Sequence, residues 1–302
     1  MERRLTAQGP KDRKSYMVTL PIDWVKSKNL DKGRIVDLDI IGNTVIITTP
    51  DKTEEIVKID AEKFKLTLDH LLSGLYIMGV NEIRVFYNDK KIIKRIMQIL
   101  SDYMLGFEVM EHNKDYLLIK NITKESNEEF KTVLRRLFLS LLFLSDEVLR
   151  FLKDGRDRDS YNIMGTRSSI YKLGNYCQRL LAKKGHIEYL KVPYYFSLCQ
   201  ELKLACSNYR WFYEEINKNR NSSTWEINML TKINNNLNNL YNLFYSFDIN
   251  KYEKGRGSII SLMNILRSKQ HRYKYYLLSI ADRINALYRL TLLIKFNPEK
   301  IK

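Results

Sequence analysis

The sequence predicts an α+β chain in three parts: a small β-rich unit over residues 1–50, a short α/β segment over 51–122 and an all-α helical bundle over 123–302. Three observations lead there. Strand-favouring runs, broken by a proline and by a glycine turn, fill the first part. Strand-like and helix-like periods take turns across the second. From residue 126 onward the 3.6-residue period is nearly unbroken. At 302 residues the chain is long enough to bury a sizeable core.

The elements follow in order. "MVTL" at 17–20 favours a strand, and Pro21 opens a short helix, "IDWVKSKN", with Asp23 in its first turn and Trp24 free to pack back. Gly33 marks a turn. "RIVDLDI" alternates, and "GN" gives a hairpin signal before "TVIITT". A unit of about 50 residues buries little surface alone, so pairing with a second copy is expected. In the second part "EEIVKI" and "EIRVFY" read as strands and "LDHLLSGLYIMG" as a helix. "DKKIIKRIMQILSDYM" is an amphipathic helix, with Ile92, Ile93, Ile96, Met97, Ile99 and Leu100 on one face and lysines opposite. A hairpin turning at residues 113–115 ends the segment. The third part reads as helices over 128–152, 160–184, 193–217, 223–246 and 257–296, the last broken near "RSKQHR". The separators "KDGRDRDS", "AKKGH", "NKNRNSS" and "NKYEKGRG" are polar and carry Gly or Asn.

Charge is unevenly spread. The chain has 51 basic and 35 acidic residues, net +16. Residues 1–50 carry nine basic and six acidic groups, 51–150 sixteen and seventeen, and 151–302 twenty-six and twelve. The basic half suits a polyanionic partner or is a lysine-rich solvated face; charge alone leaves both open. No charged-then-apolar leader opens the chain, and the longest apolar run, "LFLSLLFL" at 137–144, falls far short of the roughly 18 residues of a membrane span. The expectation is a cytoplasmic protein without a membrane span. Cys177, Cys199 and Cys206 are too few for a disulfide framework and read as small buried residues. His70, His112, His186 and His271 are scattered, and no phosphate-binding, dinucleotide, nucleophile-elbow or zinc-protease motif occurs. "KGRGS" at 254–258 is an interhelix loop or an anion cradle. Asp157/Asp159 and Glu214/Glu215 read as solvation. Neither an enzyme nor a cofactor is expected.

Two stretches bear a family likeness. The pattern Val18-Thr19-Leu20-Pro21, Trp24-Val25, Leu30, Gly33, Val36 and Val45-Ile46-Ile47 resembles the AbrB/SpoVT-type swapped-hairpin DNA-binding domain. Ile22 stands where that family has a lysine, and Arg34 where it has an acid. "LLSGLYIMGVNEIRVF", "GFEVMEHNKDYLLIKNI" and "YYLLSIADRINALYRL" resemble the archaeal PhoU-like phosphate uptake regulators that carry such a domain at the N-terminus. The likeness implies a swapped-hairpin β-barrel shared by two chains, a bundle of two three-helix units, a role in transcription regulation linked to phosphate, and a phosphate transporter or sensor component as a partner. It also implies DNA contact through basic residues around the first strand, here Arg3, Arg4, Lys11, Arg13 and Lys14, with Lys26 and Lys28 at the helix end. An architectural nucleic-acid-binding protein or an interaction adaptor is the alternative.

PhoU-like proteins place acids four apart on helices to hold metal, because carboxylates at i and i+4 share a face. Here the matching positions are Arg167 and Tyr171 in the first unit, and Leu278 and Asp282 in the second. The metal sites therefore read as lost. Asp282 is left as an interhelical hydrogen-bond acceptor or a weak lone ligand, and an anion site at Arg167 stays open.

Overall fold

The computed structural model describes residues 2–10, 12–30, 35–41, 44–49, 56–123, 127–154, 160–184, 189–219 and 223–296. The chain divides at residue 53 into two compact units.

In the first unit β1 (Thr6–Gln8) pairs antiparallel with β2 (Ser15–Met17), Gln8 opposite Ser15. The turn between them uses Gly9 at φ 115°, where a Cβ would lie 2.6 Å from the Arg13 carbonyl oxygen. A short helix α1 (Ile22–Ser27) starts at Pro21, with Asp23 in its first turn. It ends where Asn29 takes φ 50°, and the Leu30 amide donates back to the Val25 carbonyl at 3.0 Å. The second ladder is β3 (Asp37–Ile41) against β4 (Thr44–Thr48). Leu38 faces Ile47 and Ile40 faces Val45, so the strand alternation puts all four on one face. Within one chain the described strands form two separate ladders and close no barrel. None of residues 2–49 whose exposure is described is buried, and Ile40 is 79% exposed.

The second unit opens with a sheet of order β5-β6-β8-β7: β5 (Val57–Asp60), β6 (Glu82–Phe86), β7 (Phe107–His112) and β8 (Tyr116–Asn121). β5 and β6 run parallel, joined through α2 (Leu68–Ile77); the other pairings are antiparallel. α3 (Lys91–Tyr103) buries Ile96, Ile99 and Leu100 of the expected apolar face, whereas Met97, also expected there, is exposed. Asp60 starts the crossover by accepting the Glu62 amide at 3.1 Å. Ile83, Val85, Leu117 and Ile119 of the sheet join Leu68, Leu72 and Tyr76 of α2 in the buried core.

Six helices complete the unit: α4 (Asn127–Asp154), α5 (Ser160–Lys184), α6 (Val192–Asn219), α7 (Thr224–Tyr245), α8 (Ile249–Ser268) and α9 (Lys274–Lys295). α4–α6 pack on one another, as do α7–α9, and the two trios join through α6 on α9 and α4 on α7. α2 and α3 lie against α5. The "LFLSLLFL" run buries Leu137, Phe138, Leu141 and Leu144 and leaves Leu139 and Phe143 exposed. A capping box fixes the start of α7: Ser223 accepts from the Trp225 amide, and Glu226 accepts from the Ser223 amide at 2.8 Å. A buried polar chain ties three helices, Tyr209 Oη donating to Asn234 Oδ1 at 2.8 Å and Asn234 Nδ2 to the Ser145 carbonyl at 2.8 Å. Among the described residues no helix is long and apolar enough to cross a membrane.

One expected break is misplaced. "NKYEKGRG" lies inside α8, and the real turn comes just before it, where Asp248 caps the helix by accepting the Lys251 amide at 2.8 Å. Its glycines have the look of helix breakers. Gly255 instead lets α8 approach α9, since a Cβ there would lie 2.5 Å from Tyr288 Oη. "KGRGS" is therefore helical, and its amides are spent within the helix rather than cradling an anion. The break expected near "RSKQHR" is present between α8 and α9.

Candidate functional site

The expected nucleic-acid contacts sit on the first unit, but not as one contiguous arm. Arg3 and Arg4 precede β1, whereas Arg13 and Lys14 lie at the far end of the same hairpin, just before β2. The four steps of extended chain from Arg4 to Gln8 span about 13 Å. Lys26 and Lys28 end α1, and Lys11 lies outside the described residues. All six described cations are exposed, and no carboxylate pairs with them among the described residues. β1 gives no signal in the sequence because Thr6-Ala7-Gln8 is too short and too polar to show a strand period.

The four positions expected from the resemblance to have held metal-binding acids lie in the second unit. Arg167, on α5, donates through Nη2 to Tyr103 Oη at 3.2 Å, and its guanidinium stands 4.8 Å from the Tyr171 ring centre. Tyr171 Oη meets Ser207 Oγ on α6 in a short hydrogen bond. On α9, Leu278 packs against the core. Asp282 accepts from its neighbour Arg283 at 2.7 Å, and Arg283 makes the interhelical link, donating to Glu201 on α6 at 3.1 Å. The interhelical role expected of Asp282 thus belongs to Arg283. Among the described residues no group of three His, Cys, Asp or Glu side chains is placed to hold a metal. The three cysteines are free and buried, as expected.

Arg167 and Tyr171 open onto a cleft of about 460 Å³ between α2–α3 and α5–α6. Its floor holds a residue that the sequence alone does not single out, Lys203 of α6, only 5% exposed. The ammonium donates to Asn175 Oδ1 at 2.7 Å and to Gln178 Oε1 at 2.6 Å, both on α5. Burial pushes its pKa down to about 8, partly countered by the neighbouring Cys199 and Cys177 thiols. Gly174 makes room for the lysine stem, since a Cβ there would lie 2.8 Å from its Cγ and Cδ. Asn175 Nδ2 also donates to the Tyr103 carbonyl at 3.0 Å, fixing the end of α3 on α5. A signal existed: Cys199, Leu202 and Cys206 are buried at helical spacing, and Lys203 interrupts that apolar stripe. Rim residue Asp69 is paired with Arg95 at 3.3 Å.

Comparison of the chain with protein-family models, with curated proteins and with solved structures finds no match.

Proposed function

We propose that this protein is a DNA-binding transcriptional regulator that acts as a homodimer, with its helical unit relaying a signal connected with phosphate uptake. One observation carries the reading. Residues 2–49 have regular strands and a helix but no described buried side chain, and Leu38, Ile40, Val45 and Ile47 form an apolar face on the β3–β4 ladder. A unit that folds with its apolar face uncovered needs a partner. A second copy interlocked as a swapped-hairpin barrel supplies one, in keeping with the AbrB/SpoVT-like pattern. The exposed cations at both ends of the first hairpin and at the end of α1 then face duplex phosphates from two chains. The link to phosphate rests on the PhoU-like stretches.

The +14 charge of residues 151–302 favours a second reading, an architectural protein whose helical half holds nucleic acid without sequence preference.

Duplex binding by the full chain, measured across a salt series, decides between them. Changing Arg3, Arg4, Arg13 and Lys14 together to Ala should weaken binding and flatten the log–log salt slope by about 0.9 for each phosphate no longer neutralised. An unchanged affinity and slope would reject the first hairpin as the contact and favour the helical half. Ile40→Asp should turn the dimer into a monomer in light scattering; a dimer that persists would refute pairing through this face.

A further inference from the structure

We infer that the cleft between α2–α3 and α5–α6 binds a small phosphate monoester, with Arg167 and Lys203 gripping the phosphate. The inference does not depend on duplex binding, since every residue it uses lies in the second unit.

Two cations from two helices line this cleft, and among the described residues no carboxylate lies within 4.0 Å of either. Lys203 is nearly fully buried, and its two acceptors are neutral amide oxygens, leaving one of its three donors uncommitted. Arg167 uses one Nη on Tyr103, while its Nε is buried with no acceptor. Buried donors without partners are rare in folded proteins and ask for an explanation. A buried ammonium without a counter-ion is costly in the same way. The depressed pKa of Lys203 is the expected sign of that burial. An oxyanion in the cleft would give a partner to the third donor of Lys203 and to Arg167 Nη1, which has no acceptor among the described residues.

The donor set and the volume narrow the ligand. A monocarboxylate held by the arginine fork leaves the ammonium as it was; a phosphate dianion has the charge and the oxygens for both. Bare phosphate leaves most of about 460 Å³ unfilled, a volume in the range of small-molecule sites. The rest of the lining suits a hydroxylated body. Asp69 and Ser73 of α2 and Gln200 of α6 offer polar atoms, and the Tyr103 and Tyr171 rings, edge to face at 5.6 Å, form an aromatic wall. Asp69 is held by Arg95 and so does not cancel the positive pair.

Calorimetry on the full chain tests this with ribose 5-phosphate, ribose, inorganic phosphate and succinate as probes. Ribose 5-phosphate should bind more tightly than inorganic phosphate, and ribose and succinate should give no comparable heat. Arg167→Met should weaken the ester by about 10-fold or more, the effect of removing one charge-assisted hydrogen bond. Arg167→Lys, which keeps charge but not the fork, should recover only part. Lys203→Met should weaken it similarly, with its fold checked by circular dichroism; if that variant does not fold, the Arg167 pair decides alone. Lys251→Met, outside the cleft, should bind as wild type. No heat from any probe at millimolar concentration, equal binding of succinate and ester, or binding untouched by the Arg167 changes would each overturn the inference.

Discussion

Arg179 pins the sheet layer to the bundle, and removing it should partly detach the two. The side chain is 0% exposed on α5, and its Nη1 donates to the carbonyls of Tyr76 at 2.7 Å and Val80 at 2.8 Å. Nη2 meets Asn81 Oδ1, and the guanidinium stands 5.0 Å from the Tyr76 ring centre and 5.2 Å from that of Phe107. The carbonyls it takes lie at and just past the C-terminus of α2, and that of Tyr76 also accepts the Gly79 amide at 3.1 Å. Arg179→Met keeps the apolar stem and deletes these three charge-assisted bonds, among others. At about 1.5 kcal/mol each these total about 4–5 kcal/mol, and relief from burying a cation returns part, leaving a destabilisation of about 3 kcal/mol. With a urea m-value of about 3 kcal/mol/M, the unfolding midpoint should drop by about 1 M. Far-UV circular dichroism in urea reads the midpoint, and amide exchange should show the β5–β8 sheet losing protection before α7–α9. A midpoint within error of wild type at an unchanged m-value would refute the assignment, as would uniform loss of protection across both layers.

Two glycines of α8, separated by a single residue, should respond in opposite directions. Gly255→Ala drives a Cβ to 2.5 Å from Tyr288 Oη and should destabilise by about 1–2 kcal/mol despite its better helix propensity; Gly257→Ala meets nothing within 4 Å and should stabilise by up to about 1 kcal/mol. Thermal melts of the two variants check the pair. Alkaline stability should carry the mark of Lys203. Its pKa is about 8 folded against 10.5 unfolded, so the unfolded chain binds the extra proton between those values and stability rises with pH there. Cys206, pushed up to about 12 by burial, and Cys177, also raised by burial, oppose this above their ordinary value of 9.0. The cysteines already take back about 0.7 kcal/mol by pH 9, so the Lys203 contribution, about 1 kcal/mol between pH 8 and 9, is read as the difference between wild type and Lys203→Met. Urea midpoints of both proteins at the two pH values measure it; an identical pH response in the variant assigns the change to another group.

What the sequence disclosed was whatever its own periodicity encodes. α3 could be placed from Ile92, Ile96 and Ile99 because a one-sided helix writes its burial into the order of residues. The sheet strands of the second part were equally local, and α7 was placed from its period, whereas the Ser223–Glu226 capping box that starts it went unread. The failures share a different cause. Gly255 reads as a breaker until Tyr288, thirty-three residues on, is seen to fill the space a side chain would take. Arg179 reads as one more cation of a basic half, although its partners lie about a hundred residues upstream. The resemblance read from the sequence points to Asp282, while its neighbour Arg283 makes the crossing to α6. For the candidate site the positions Arg167 and Tyr171 were legible, but the cleft they border depends on how α2 and α3 lie on α5, which no local pattern records.

Gly174 turns one of these hidden facts back into a readable one. Its missing side chain is the groove through which the Lys203 stem passes between α5 and α6. The two positions, twenty-nine residues apart, are therefore sterically coupled: a Cβ at 174 would sit 2.8 Å from the stem carbons of Lys203, so one of them has to move. Substitution at the glycine must evict the ammonium or push the helices apart, so the pair is expected to change together. The absence of a single methyl group on one helix is thus what lets a charge enter the interior from the next.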